Sequence, residues 1–303
     1  MCIRDRNIEA KDLGQFEIKG KKKYGQPHYR LLKKQYQKED KGNWVIMPLY
    51  PYDPYEEVIS EKDEQFTDVN GNGVWDPTED FIDENGNGIA DKYKYTNFPN
   101  SQHLLGTDNQ GRDVLSRLIY GFNISITFAI VCCFLSYIIG IIIGGALGYF
   151  GGKVDLFGLR IIEIYGSIPF LFMLMILATF IKPNVYILAS MYVFLTGWIG
   201  ITWYVRGEFL REKSKDYVSA AVSMGQSHWN VMFRHILPNS LTPVITFAPF
   251  AIIGYISALV SLDYLGFGLQ PPTPSWGELM AHGRTNLQYW HLIVSPLFSI
   301  GAT

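Results

Sequence analysis

Apolar residues are spread unevenly along the chain: residues 7–121 mix apolar, polar and charged positions, whereas beyond residue 121 most of the chain consists of long apolar runs. One helix needs roughly 20 predominantly apolar residues to cross the hydrocarbon core of a bilayer. Four stretches reach that length, at 124–150, 161–181, 185–205 and 241–262, and a fifth apolar run begins near Tyr289. They lack the polar stripe that a helix of a soluble protein turns to solvent. The pattern predicts an all-α membrane protein, a polytopic helical bundle, with a mostly irregular N-terminal region ahead of it. Within the first run Gly140, Gly144 and Gly148 recur every four residues. That spacing puts them on one helix face, where they let two membrane helices approach backbone to backbone.

Charge sets the expected orientation. The connection 206–240 carries Arg206, Arg211, Lys213, Lys215 and Arg234, the richest basic set beside any span, so it is expected in the cytoplasm. Alternation then puts the 151–160 turn inside as well, and residues 7–121, the 182–184 turn and the 263–288 loop outside. Of the 26 Lys and Arg, 17 precede residue 122. Long external domains translocate largely regardless of charge, so this does not invert the assignment. A net charge of −2 with 48% hydrophobic residues gives no basis for a nucleic-acid partner and makes lipid the expected surroundings. Cys2, Cys132 and Cys133 cannot form a disulfide framework; the adjacent pair reads as small hydrophobes. Glu163, near the inner end of its span, is expected to snorkel to the interface or to meet Arg160. Residues 1–6 (MCIRDR) resemble a translated sequencing adapter and are set aside. The apolar run at the other end, SPLFSIGAT, suggests a chain truncated at its C-terminus.

Between the third and fourth runs lies DYVSAAVSMGQSHWNVMFRHILPNS, residues 216–240. Small residues (Ser219, Ala220, Ala221) make a slim helix, Gly225 permits a tight turn into a second one, and Ile236-Leu237-Pro238 is expected to close it before the next span. A helix-turn-helix of this kind facing the cytoplasm is a docking element. It resembles the EAA loop of binding-protein-dependent ABC permeases. Ala220, Ala221, Gly225, Ile236, Leu237 and Pro238 occupy the motif's defining positions, and Ser219 replaces its usual Glu. Two further segments, LGTDNQGRDVLSRLIYG (105–121) and LDYLGFGLQPPTPSWGEL (262–279), resemble the dipeptide, oligopeptide and nickel branch of that family. GNWVIMPLYPYDPYEE (42–57) and YFGGKVDLFGLRIIEI (149–164) look most like permeases associated with microcin C and oligopeptide uptake. The resemblance implies a type I importer permease domain over 105–303, in a bacterial inner (plasma) membrane. It also implies a second permease subunit, cytoplasmic ATPase subunits and a periplasmic substrate-binding protein as partners. It implies that the chain is not an enzyme and needs no cofactor for transport.

The residues agree with a non-catalytic chain. Gly152-Lys153 is followed by Val154 and preceded by Leu147 where a phosphate-binding loop requires its first glycine. His235, His282 and His291 fall in separate segments without an elbow motif. One separate signal remains. Residues 68–79, DVNGNGVWDPTE, fit the twelve-residue calcium loop, with Asp68, Asn70, Asn72, the Val74 carbonyl, Asp76 and Glu79 as ligands. A second copy supplies Asp83, Asn85, Asn87 and Asp91 but ends in Lys94. Oxygen donors at alternating positions converge on a hard cation, so a structural Ca²⁺ is expected within the external region 7–104. Two alternatives stay open at this point: a permease for nickel or another small solute, and a calcium-dependent membrane sensor.

Overall fold

The computed structural model describes residues 2–4, 15–18, 21–24, 44–46, 50, 52, 54–55, 96–101, 103–181 and 183–303. The calcium-loop residues Asp68, Asn70, Asn72, Val74, Asp76, Glu79, Asp83, Asn85, Asn87 and Asp91 lie outside the described residues. Two compact units divide the chain, Met1–Asp53 and Pro54–Thr303.

In the first unit four short strands form two antiparallel pairs. β1 (Cys2–Arg4) pairs with β4 (Trp44–Ile46), Cys2 standing opposite Ile46. β2 (Gln15–Ile18) pairs with β3 (Lys21–Tyr24), Ile18 opposite Lys21.

The second unit is helical. α1 (Val114–Phe150) starts where the Asp113 carboxylate accepts the backbone N–H of Ser116 at 2.7 Å, about ten residues ahead of the apolar run itself. Ile130, Phe134, Ile138 and Ile142 form an exposed stripe at a four-residue interval, the face left for lipid. Gly140, Gly144 and Gly148 lie on another face of α1, turned to the protein interior.

The second and fourth apolar runs are each divided. α2 (Gly152–Gly166) and α3 (Phe170–Phe180) meet at a 64° bend. Pro169 explains it: proline lacks an N–H and forces the residue before it out of helical geometry. The 151–160 segment, expected as a turn, is therefore helical from Gly152 onward. α4 (Val185–Tyr192) runs through a π-helical turn (Val193–Gly197) into α5 (Trp198–Lys213), one continuous span. It outlasts its apolar run by eight residues, so Arg206, Arg211 and Lys213 are helical rather than loop residues.

After α5 come α6 (Asp216–Ser223), the single turn α7 (His228–Asn230), a second π-helical turn (Val231–Ile236) and α8 (Leu237–Thr246). α9 (Ala248–Tyr264) follows at a 53° bend. Pro238, expected to end the helix, sits inside it. The π turn widens the backbone at Arg234, four residues earlier, where the proline ring would otherwise clash. The break comes instead at Phe247, with Pro249 at the start of α9. α10 (Trp276–Thr285) and the apolar α11 (His291–Ala302) complete the unit.

Among the described residues two helices can cross a membrane alone by length and composition, and up to four spans result if each bent pair counts as one. The larger core cluster joins α1, α4, α9, α10 and α11, around Phe128, Leu188, Leu259, Trp276 and Leu292. A smaller one, around Val205, Phe209, Val218, Val231 and Ile236, joins α5 to the helices after it.

Candidate functional site

Two ends of the bundle carry organised polar structure. At one end α6 stops where its sequence says it should. Gly225 adopts φ +75°, Gln226 N–H donates to Ala221 C=O at 3.2 Å, and Gly225 N–H donates to Val222 C=O at 2.9 Å. This pair of bonds is the Schellman ending, which needs a residue tolerant of the left-handed region. Ser227 then caps α7, accepting the Asn230 N–H. Val218 and Ala221 turn inward onto Val231 and Ile236, while Ser219 and Ala220 face outward. Leu237 is half-buried and Pro238 exposed. The outward surface continues through Val222, Met224 and Trp229, the last two 71% and 69% exposed, and Trp229 stacks on Phe233 at 5.2 Å.

This helix pair is tied to the spans by groups that motif reading passed over. The Glu212 carboxylate, almost fully buried, takes Lys215 at 2.8 Å and the Tyr217 hydroxyl at 2.8 Å. Burial, then the bond to that carboxylate, pushes the Tyr217 phenol above its usual range. Tyr149, at the end of α1, bonds His228 at 2.8 Å, and Lys213 donates to the Tyr149 carbonyl. The 151–160 and 206–240 segments thus lie at the same end of the bundle, as alternation requires. Arg206 holds Asp155 of α2 through two bonds of 2.5 Å, and Arg160 meets Glu163 at 2.6 Å.

The glycine face of α1 packs on α5. A Cβ on Gly140 would stand 2.5 Å from Ile201 Cγ2; on Gly144, 2.5 Å from the Thr202 carbonyl oxygen; on Gly148, 2.6 Å from Phe209 Cβ. All three distances are below any real Cβ contact, so the helices could not approach this closely with larger residues.

The opposite end is closed by a buried charge cluster. Asp108 and Arg112 pair at 2.7 Å, Arg112 reaches Glu278 at 3.1 Å, and Arg117 pairs with Glu278 as well. Arg117 also donates to the carbonyls of Pro54 and Pro272 at 3.1 and 3.4 Å. His103 Nδ1 lies 2.7 Å from the Asp113 carboxylate. Trp276 donates its indole N–H to the Leu118 carbonyl at 2.9 Å, and Asp263 accepts from Ser275 and from the Leu269 N–H. Burial keeps His282, on the same helix as Glu278, below the usual imidazole range, against the pull of that carboxylate. The motif segments 105–121 and 262–279, remote in sequence, are thereby locked into one clasp. Among the described residues no cluster of three or more His, Cys, Asp or Glu is arranged to hold a metal. Cys132 and Cys133 are unbridged.

Residues 136–300, covering the glycine face, the helix-turn-helix and one side of the clasp, match the model of the binding-protein-dependent transport system inner membrane component. The chain belongs to this family. It is a multi-pass inner membrane component of a binding-protein-dependent transport system. Relatives agree. The chain is 44% identical over 196 residues to the peptidoglycan transport system permease protein YejE of Agrobacterium fabrum, covering 65% of this chain and 51% of the relative. It is 36% identical over 278 residues to the inner membrane ABC transporter permease protein YejE of Escherichia coli, covering 92% and 79%. It is 36% identical over 198 residues to the oligopeptide transport system permease protein OppC of Haemophilus influenzae, covering 65% and 63%. The chain thus spans about half the length of the first of these relatives. The second alignment takes in most residues before 105, so the Escherichia coli relative shares much of the N-terminal region too.

The family resemblance was legible in the three motifs, but the clasp and the Glu212 anchor were not. Their only sequence signal is charge beside apolar spans, where buried ions need partners.

Proposed function

We propose that this permease forms half of the translocation pathway of an ATP-driven importer for oligopeptides and peptide-like compounds, peptide antibiotics of the microcin type included. The peptide class rests on the motifs 105–121 and 262–279 and on the names of the relatives. The observation that carries the coupling role is the outward surface of α6 and α7. Here Met224, Trp229 and Phe233 are exposed on a helix pair anchored to two spans through Glu212 and Tyr149. The segment 216–238, with Ser219, Ala220, Ala221, Gly225, Ile236, Leu237 and Pro238, acts as the EAA-type loop and seats in a cytoplasmic ATPase. Residues 7–121 face the periplasm and receive substrate from a binding protein.

A second permease subunit completes the path. ATP binding closes the ATPase pair, the docked helices move with it, and the permease pair shifts between inward-open and outward-open packings. A ligand can shift such an equilibrium only by its differential affinity for the two states. Here the ATPase supplies that difference through the loop.

Gly225→Val tests the role. A β-branched residue at φ +75° is strained, so the turn shifts and the exposed surface is misdirected. Membrane insertion should persist while substrate-stimulated ATP hydrolysis of the assembled complex is lost. Normal coupling in this variant rules out docking through this loop. Calcium in the 68–94 segment belongs to the same proposal, as a structural clip of the periplasmic region supported by its two tandem loop sequences.

A further inference from the structure

α2 is a rod between two joints. Gly151 and Gly152, which link it to α1, stand at φ +63° and +54°, a region that glycine enters without the cost of a Cβ. At the other end the helix stops at Gly166, and α3 departs at 64° after Pro169. Packing holds the rod at its middle only. There Gly158 lies against the Leu147 side chain of α1, and Ile162 is the one buried residue of α2. Val154, Leu156, Phe157, Ile161 and Ile164 are all exposed. With a joint at each end, the direction of α2 is set by sideways attachments.

Both attachments run to the span formed by α4 and α5. Near the start of α2, Asp155 takes Arg206 in two bonds of 2.5 Å. This bidentate arrangement fixes direction as well as distance. Near its end the Tyr165 hydroxyl donates to the Phe194 carbonyl at 2.7 Å, inside the π turn Val193–Gly197. The Trp198 indole N–H donates to the same carbonyl at 3.2 Å, and its ring lies 6.0 Å from that of Tyr165. At 1.5 Å per residue, Asp155 and Tyr165 are about 15 Å apart along α2. Two fixed points at that separation hold a line.

Arg206 is also a point where α5 is fixed against α1. A Cβ on Gly148 would stand 2.7 Å from the Arg206 carbonyl oxygen, and one on Gly144 3.1 Å from its amide nitrogen. The Arg206 backbone is thus seated on the glycine face while its side chain reaches α2. The other ion pairs among the described residues at this end, Arg160–Glu163, Arg211–Glu208 and Glu212–Lys215, lie within one helix or at its end. A pair that only neutralised two charges would need no companion at Tyr165, which carries none.

We propose that Arg206 and Tyr165 are positioning residues for coupling: they make α2 follow α5, so that a displacement delivered to the docked loop reaches the second span. The proposal rests on the docking reading of 216–238. It adds that the second span is driven through side chains of α2 and α5 and not through the chain that joins α2 to α1.

The test uses the complex assembled with its ATPase in lipid nanodiscs, with Cys2, Cys132 and Cys133 replaced by alanine. Spin labels are placed on exposed residues in two pairings, Phe157→Cys of α2 with Leu210→Cys of α5, and Leu210→Cys with Phe250→Cys of α9. Distances are read without nucleotide and with ATP trapped by vanadate. In the unaltered complex the α5–α9 distance should shift by about 2 Å or more, the scale of helix displacements at moving interfaces, while the α2–α5 distance stays the same. In Arg206→Gln the α2–α5 distance should shift on trapping as well, and exchange of the charges, Asp155→Arg with Arg206→Asp, should hold it constant again. Tyr165→Phe, which removes one hydroxyl, makes the same measurement should Arg206→Gln fail to assemble. An α2–α5 distance that shifts in the unaltered complex, or that stays constant in an assembled Arg206→Gln or Tyr165→Phe complex, overturns the proposal. A purely structural pair would lower stability without making this distance depend on nucleotide. If neither distance shifts in the unaltered complex, or if the α5–α9 shift survives Gly225→Val, the docking reading itself is overturned.

Discussion

Glu278→Gln is the sharpest test of the outer clasp. Glu278 lies between two buried guanidinium groups: the Arg112 and Arg117 side chains are 2% and 0% exposed, and Glu278 itself is 12% exposed. Asp108 and Glu278 together balance the two arginines, because Asp113 is engaged with His103. The neutral amide keeps the shape but leaves two buried cations facing one carboxylate. Removing one partner of a buried ion pair costs roughly 3–5 kcal/mol, and the partial opening of Glu278 to water favours the lower end, about 3 kcal/mol. For a unit of this size each kcal/mol moves the melting temperature by roughly 2–4 °C, so a drop of about 6–12 °C is expected. The assay is thermal denaturation of the purified chain in lipid nanodiscs for Glu278→Gln, Arg117→Met and the double variant. Residues sharing one network couple by about 0.5–3 kcal/mol, so the double variant should lose less than the sum of the single losses. A Glu278→Gln melting curve superimposed on that of the unaltered chain, or strict additivity of the two changes, would refute the reasoning. The charges would then be solvated ornaments of the surface rather than the lock between the two motif segments.

Gly144→Ala should destabilise by about 1–3 kcal/mol, the range for overpacking a close contact, because its new methyl would meet the Thr202 backbone. Gly200→Ala, with open space at the same position of its residue, is the control and should be near neutral in the same melting assay. His282 predicts a pH dependence. Burial lowers its folded-state affinity for a proton, so its contribution is present above the ordinary imidazole value and is lost as pH falls below about 6.5 toward the lowered value. Melting temperature measured between pH 8 and 5 should fall less steeply for His282→Gln than for the unaltered chain, and parallel curves would exclude the effect. For the periplasmic segment, a calcium chelator should lower the melting temperature of the whole chain, and Glu79→Gln should abolish the difference between chelated and calcium-supplied samples.

The apolar helices were legible because hydropathy is a sum over about twenty residues and tolerates local error. Their shape was not, because each departure depends on one backbone group. Pro169 breaks the second run, yet Pro238 does not end the helix ahead of the fourth. The two differ in what precedes them: α2 ends at Gly166 ahead of Pro169, whereas a π turn ahead of Pro238 accommodates its ring. No propensity scale carries that distinction. Gly225 was readable as a turn because only a residue without Cβ settles at positive φ. Glu212 was not, because its partners Lys215 and Tyr217 become neighbours only once α5 is known to continue to Lys213. The clasp is harder still: Arg117 and Glu278 lie 161 residues apart.

The helical continuity that the sequence concealed bears directly on coupling. Free backbone between the spans and the helix-turn-helix, as the sequence suggested at 206–215 and after Pro238, would absorb a push from a docked motor in its own flexing. The folded segment has little to flex. α5 extends from the π turn Val193–Gly197 through Arg206 to Lys213, and after the Gly225 turn the chain is helical again from His228 to Thr246. Non-helical backbone is confined to Ser214 and Lys215, and to the Met224–Ser227 turn. Glu212 and Tyr149 pin each of these breaks to a span. Under the proposed docking, a displacement of α6 is therefore delivered along α5 and α8 to the bend at Phe247. There Pro249 leaves a hydrogen-bond position vacant, which makes this bend the weakest point of the backbone between α8 and α9. The hinge thus lies at the start of α9, and not in the segment that touches the motor.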